Sequence, residues 1–170
     1  PAGTFLMGSP ETENERTGAG TLEETQHQVT LTQPYYIGVF ELTQAQWLNV
    51  MGGNPSTDSA DVRKPVETAT WNAIRGGEWP ESGREPAAAS FMAALRARTG
   101  LVLDLPTEVQ WEYACRAGTT RAFSDPAANN GAGADSDAAG VLGWYDGAGE
   151  THVVGHTIPD LLPYPYFPSS

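Results

Sequence analysis

The sequence predicts a mixed α+β domain, irregular and rich in loops. Three observations predict it. Nineteen glycines and 13 prolines in 170 residues demand many turns, more than a helical bundle tolerates. Short apolar stretches of strand length alternate with helix-capping signals, and no long periodic run joins them. Hydrophobic residues make up 39% of the chain, enough for a core but a modest one. A chain of 170 residues is the size of one domain.

The first element is Gly3-Thr4-Phe5-Leu6-Met7-Gly8-Ser9, an apolar run closed by a Gly-Ser-Pro turn and read as an edge strand. Residues 10–26 are acidic and small, with Glu11, Glu13, Glu15, Glu23 and Glu24. They lack calcium-hand spacing and read as a solvated loop. Gln28 to Thr32 alternates polar with apolar, the pattern of a half-buried strand, and Tyr35 to Phe40 reads as a second one.

Thr43-Gln44-Ala45-Gln46 is a capping box. The Thr43 hydroxyl can accept a first-turn N–H while Gln46 reaches back to the Thr43 N–H. The helix it opens carries Trp47, Leu48, Val50 and Met51 and stops at Gly52-Gly53. Pro65 to Ala69 reads as extended, with Thr70 starting a further helix at Trp71. Residues 76–86 are full of helix breakers and form a loop.

Ala87 to Thr99 reads as the clearest helix. Its residues Ala88, Phe91, Ala94, Leu95 and Arg98 share a face, Phe91 and Leu95 form an i, i+4 pair, and Gly100 caps it. Leu101 to Leu105 reads as a short strand ended by Pro106. Thr107-Glu108-Val109-Gln110 repeats the capping box, and Trp111, Ala114 and Cys115 are expected on the buried face of a helix ending near Gly118. Residues 125–140 cannot build a core, and short strands are expected at 142–145 and 152–154. The four prolines of 159–170 forbid helix and central strand alike, so the chain divides into a domain over 1–158 and a Pro-rich tail over 159–170.

Charge excludes whole classes of function. Acids outnumber bases 21 to 9, the net charge is −12, and Lys64 is the one lysine. No nucleic acid is expected as a partner, because phosphate binding needs clustered Lys and Arg. A membrane is not expected either: there is no polybasic surface, and no apolar run approaches the roughly 20 residues of a spanning helix.

Candidate chemistry is thin. One cysteine, Cys115, allows no intrachain disulfide and no multi-cysteine metal site. It reads as a small hydrophobe on a helix, although the neighbouring Arg116 could favour a thiolate. Of the histidines His27, His152 and His156, the last two flank a β-like Val-Val-Gly and would stand about 13 Å apart at strand rise, so they read as surface or turn residues. Glu108 and Glu112 stand i, i+4, yet Glu108 falls where an acid complements the helix dipole. Trp47, Trp71, Trp111 and Trp144 sit in apolar contexts and are expected in the core, whereas Trp79 before Pro80 is the exposed one. No residue is singled out as catalytic, cofactor-binding or metal-binding.

Four segments carry a resemblance. They are Gly3-Thr4-Phe5-Leu6-Met7-Gly8-Ser9, then Tyr36-Ile37-Gly38-Val39-Phe40-Glu41-Leu42-Thr43-Gln44-Ala45-Gln46-Trp47, then Lys64-Pro65-Val66-Glu67-Thr68-Ala69-Thr70-Trp71, and lastly Leu105-Pro106-Thr107-Glu108-Val109-Gln110-Trp111-Glu112-Tyr113-Ala114-Cys115-Arg116-Ala117-Gly118. In this order they resemble the signatures of the formylglycine-generating enzyme family, the sulfatase-modifying factor domain, across residues 3–155.

The resemblance implies an irregular α+β fold of the C-type lectin-like kind. It also implies a family activity, the oxidation of a sulfatase cysteine to formylglycine with molecular oxygen and a copper ion held by two cysteines. Soft thiolate pairs select Cu(I). With one cysteine, this chain is expected to bind no copper and to be non-catalytic by itself. The family's calcium is not expected either: Gly140 stands where active members have an Asn, which leaves Asp146 as a lone oxygen ligand. After Val154-Gly155 the family continues into a Pro-Asn, Gly-Leu-Tyr-Asp-Met and Gly-Asn-Val-Trp-Glu-Trp segment, whereas this chain runs Pro159-Asp160 into a Pro-rich end. That departure implies a fold incomplete at the C-terminus, from an interrupted or truncated copy. The expected partner is a protein or peptide such as an unfolded sulfatase segment. The other function open to the chain is a lectin-like binding module using loops 76–86 and 125–150.

Overall fold

The computed structural model describes residues 1–11, 25–77, 85–120 and 151–155. These fall into two compact units. One comprises 1–11, 25–37 and 106–120, and the other 38–77, 85–105 and 151–155.

The first unit is a strand pair with a helix. β1 (Gly3–Met7) runs antiparallel to β2 (His27–Leu31), with Phe5 opposite Val29. Alternation sends Phe5 and Met7 to one face and Leu6 to the other, as the pleat requires. On the outer face Thr4 and Thr30 stand directly opposite and share a hydroxyl hydrogen bond of 2.8 Å. The helix packed on the inner face is Glu108–Arg116. Its Tyr113 ring meets Phe5 edge-on, with centroids 5.2 Å apart. The same ring passes so close to Gly3 that a Cβ there would collide with the Tyr113 hydroxyl, which is why β1 opens on glycine.

The second unit holds three helices: α1 (Gln44–Met51), α2 (Trp71–Ile74) and α3 (Phe91–Thr99), so that Glu108–Arg116 is α4. Each begins at a hydroxyl cap. Thr43, Thr70 and Ser90 accept from the N–H three residues on, and Thr43 with Gln46 closes the reciprocal box foreseen from sequence. Thr107 with Gln110 does the same for α4. α1 ends on Gly52 in the left-handed region at φ +75°, which an L side chain rarely adopts. The core lies between α1 and α3, where Trp47 and Phe91 stack face to face with centroids 4.5 Å apart and planes within 2°. Met92 joins them, and Leu42, Val50, Val66, Ile74, Leu95 and Leu105 pack around.

Several expectations are corrected. Tyr35 to Phe40 is not a strand: Tyr36 and Val39 face solvent, and the segment is anchored by the Tyr35 hydroxyl donating to the Gln110 carbonyl at 2.6 Å. Leu101 to Leu105 is not a strand either. The Leu103 N–H turns back onto the Leu101 carbonyl, and the Leu103 carbonyl is taken by Arg96 at 2.6 Å, so neither group is left for a ladder. α3 begins at Phe91 rather than Ala87, because the Ser90 hydroxyl caps it and the Ser90 N–H closes a turn onto Ala87. Residues 152–154 form no strand, and the Val154 N–H donates to the Arg63 carbonyl at 3.1 Å. The strand expected at 142–145 and the loops at 125–140 and 78–84 lie outside the described residues.

Candidate functional site

The residues at the four signature segments do two jobs of positioning. The first is a clamp on the turn after β1. Glu112 and Arg116 stand i, i+4 on α4 and pair at 2.7 Å. The Glu112 carboxylate accepts the Gly8 N–H at 2.8 Å, and the Arg116 guanidinium donates to the Gly8 carbonyl at 2.8 Å. One residue of the opening segment, Gly8, is thus gripped at both its N–H and its carbonyl by a charged pair in the helix segment. Glu112 is thus an acceptor for the turn, while Glu108 lies exposed in the first turn of α4. The i, i+4 charge pair was the signal that could have found this.

That geometry also corrects the burial expected for α4. The helix turns Glu112, Tyr113 and Arg116 toward β1, so Trp111 and Cys115 occupy the opposite side. Trp111 is 58% exposed, and Cys115 is exposed as well. Neither belongs to the core. The left-handed C-cap falls on Ala117 at φ +47°, one residue before Gly118.

The second job joins the start of α1 to the segment opening at Lys64. The Gln44 N–H donates to the Lys64 carbonyl at 2.9 Å, Ala45 N–H to Val62 at 2.8 Å, and Val66 N–H to Leu42 at 2.9 Å. Thus N–H groups that a helix start leaves without intrahelical partners are satisfied by this loop. Gln44 itself is fully buried. Its amide donates to the carbonyls of Asp58 at 2.8 Å and Pro65 at 3.3 Å and accepts from the Asn54 amide at 2.8 Å. Glu67 closes the loop from the other side, accepting the Asp58 N–H at 2.9 Å and that of Thr57, while its own N–H goes to the Ser56 hydroxyl at 3.1 Å. Thr68, beside it, is held at φ +56°, a strained conformation for a β-branched residue. Nothing local in the sequence marks Gln44 as buried, since a Gln one position into a helix reads as a surface residue.

A third cluster braces α3. Asp104 receives a two-pronged bond from Arg75, at 2.8 and 2.9 Å, and a third from Arg96 at 3.0 Å. Arg96 also pairs with Glu85.

Basic partners make several carboxyls more acidic. The Arg63 side chain, then its N–H, holds Asp61 at about 2. Lys64 first and Thr151 second lower Asp58, and Arg75 lowers Asp104. A carboxyl whose folded value lies below its ordinary 3.8 adds stability that is complete above that value and lost as pH falls through the folded one. The melting temperature followed by helix ellipticity should therefore hold level from neutrality to about pH 4 and fall between about 4 and 2. A melt unchanged across that interval would contradict these pairings.

The remaining candidates are dispersed. His27 lies on β2 with Nδ1 2.8 Å from the Thr25 carbonyl oxygen. His152 is half-buried in the irregular segment 151–155, and His156 lies outside the described residues, as do Trp79, Gly140, Trp144 and Asp146. Trp47 is in the core as expected, and Trp71 is half-buried at the start of α2. Among the described residues no three of His, Cys, Asp and Glu come together to hold a metal ion. A copper centre of two thiolates does not fit the donor set, since the one sulfhydryl stands exposed on the outer side of α4. No helix among the described residues is long and apolar enough to cross a membrane.

Comparison with known proteins agrees with the placement of the signature segments. A stretch of 43 residues is 54% identical to the chaperone protein LppX of Paenibacillus barcinonensis, covering 25% of this chain and 15% of that protein. The chain thus matches only a small part of that relative's length. No solved structure matches it. The profile of the sulfatase-modifying factor enzyme 1-like domain matches residues 1–156. That span contains the Glu112–Arg116 clamp and the four helices of the described residues, and on it the chain belongs to the sulfatase-modifying factor family.

Proposed function

We propose that these 170 residues, taken by themselves, are a non-catalytic scaffold of the sulfatase-modifying factor type, the N-terminal and central part of a C-type lectin-like domain. The observation that carries the reading is the sulfur inventory. Formylglycine formation in the family uses a copper ion on two cysteines, and this chain owns only Cys115, on the exposed side of α4. A single thiolate cannot supply a two-sulfur site that selects Cu(I). The family-type fold supports the same reading from another side. The polar residues of the signature segments are engaged in holding turns and loops, as Glu112 and Arg116 hold Gly8.

The partner that suits such a scaffold is an extended protein segment of the kind a sulfatase presents before it folds. No copper or calcium is assigned to this chain. The test is a Cu(I) titration of the 170-residue monomer against a competing chelator, paired with oxygen uptake in the presence of a Cys-x-Pro-x-Arg peptide. The expected result is no stoichiometric copper and no uptake above the peptide blank. One tightly held copper per chain, or sustained turnover, would overturn the proposal.

A further inference from the structure

Residues 151–155 are remote in sequence from the rest of their unit, yet contacts at Thr151, Val154 and Gly155 tie them to it. The Thr151 hydroxyl donates to Asp58 Oδ2 at 3.1 Å across 93 positions of sequence. The Val154 N–H donates to the Arg63 carbonyl at 3.1 Å. Gly155, at φ +74°, lies against the Phe40 ring, where a Cβ would stand 3.3 Å from the nearest ring carbon.

Asp58 is held from behind before it meets this segment. Its N–H is bound by Glu67 at 2.9 Å, and its carbonyl accepts the amide of the fully buried Gln44 at 2.8 Å. The Lys64 ammonium reaches the same Oδ2 that Thr151 uses, at 2.6 Å. One carboxylate oxygen therefore serves the loop and the returning segment together.

We infer that Asp58 is a latch that docks residues 151–155 as a strap on the 58–64 loop, with Lys64 fixing the shared oxygen in place. The loop keeps bonds of its own when the strap undocks. The Thr151 and Val154 hydrogen bonds are among those given up, while the Lys64–Asp58 pair, the Gln44 amide and Glu67 keep the loop in shape. Released, the strap leaves behind a loop that needs no refolding to receive it again. The inference stands on these contacts and does not depend on the copper argument.

The Val154 amide is the reporter, because its N–H faces the Arg63 carbonyl only when the strap is docked. Hydrogen exchange is read residue by residue on the full chain. Thr151→Val should speed Val154 exchange about tenfold, the scale expected for one hydrogen bond to a charged group. The Trp47 amide, bonded to the Thr43 carbonyl inside α1, should not change. Unaltered Val154 exchange in Thr151→Val overturns the latch, and so does a joint acceleration of Val154 and Trp47, which would mean that the whole unit loosens. Asp58→Asn gives an independent reading through the chain's one lysine. Acylation of Lys64, followed by mass spectrometry, should be faster in Asp58→Asn and unchanged in Thr151→Val. Equal acylation in Asp58→Asn and the unsubstituted chain would remove Lys64 from the device.

Discussion

Trp47→Ala is expected to cost about 3–5 kcal/mol, the range for deleting a large aromatic from a packed core. The size follows from how little else is buried. Among the described residues of the second unit, only Trp47, Phe91 and Met92 are buried apolar side chains, with the tryptophan just 4% exposed. Its ring stacks on Phe91 at 4.5 Å, an arrangement worth about 0.5–1.5 kcal/mol beyond the area it covers. Alanine would leave Phe91 without its facing ring and open a void between α1 and α3. Against a total stability of about 5–15 kcal/mol for a small domain, that loss can unfold the unit near physiological temperature. Trp47→Phe keeps an aromatic face and should cost about 1–2 kcal/mol, a volume change without loss of the stack. Urea unfolding followed by ellipticity separates the two, and a Trp47→Ala cost below that of Trp47→Phe would refute the core described here.

The elements legible in the sequence were those fixed by local chemistry. Thr43 with Gln46 and Thr107 with Gln110 announce helix starts because the bonds that make them span three residues. Gly52 announces a helix end for the same reason. Both strands were legible, β1 as an apolar run closed by a turn and β2 from alternation over five residues, but their pairing was not. What failed was decided at a distance. Apolar runs at 35–40 and 101–105 have strand composition, but a strand needs a partner: Tyr36 and Val39 face solvent, and the Leu103 carbonyl is taken by Arg96. The burial of α4 was misjudged in the same way. Periodicity showed that Trp111 and Cys115 share a side, but which side faces the protein was set by Glu112 and Arg116 meeting Gly8 more than a hundred positions earlier. The single cysteine was legible, being a fact of composition. The Asp58 latch was not, because Thr151 joins it across 93 positions.

Gln44→Leu should cost about 3 kcal/mol or more, although it exchanges one buried side chain for another of similar volume. In a core of apolar neighbours such a change would favour Leu, but Gln44 is not there for its volume. It is fully buried, and its amide satisfies the Asp58 and Pro65 carbonyls and accepts from Asn54. Leucine strands all three groups, each at about 1–3 kcal/mol if water cannot reach it. Gln44→Glu should fare no better. A carboxylate cannot donate to two carbonyls, and full burial penalises its charge. The cause can be separated from lost packing by a double-substitution cycle. Asn54→Ala alone removes the donor that meets the Gln44 oxygen and should cost about 1–2 kcal/mol. In the Gln44→Leu background the same change removes a group already stranded, so it should cost much less, leaving a coupling of about 1 kcal/mol. Simple additivity would mean that Gln44 acts by filling space, and the network that joins α1 to the Lys64 segment would then contribute nothing of its own.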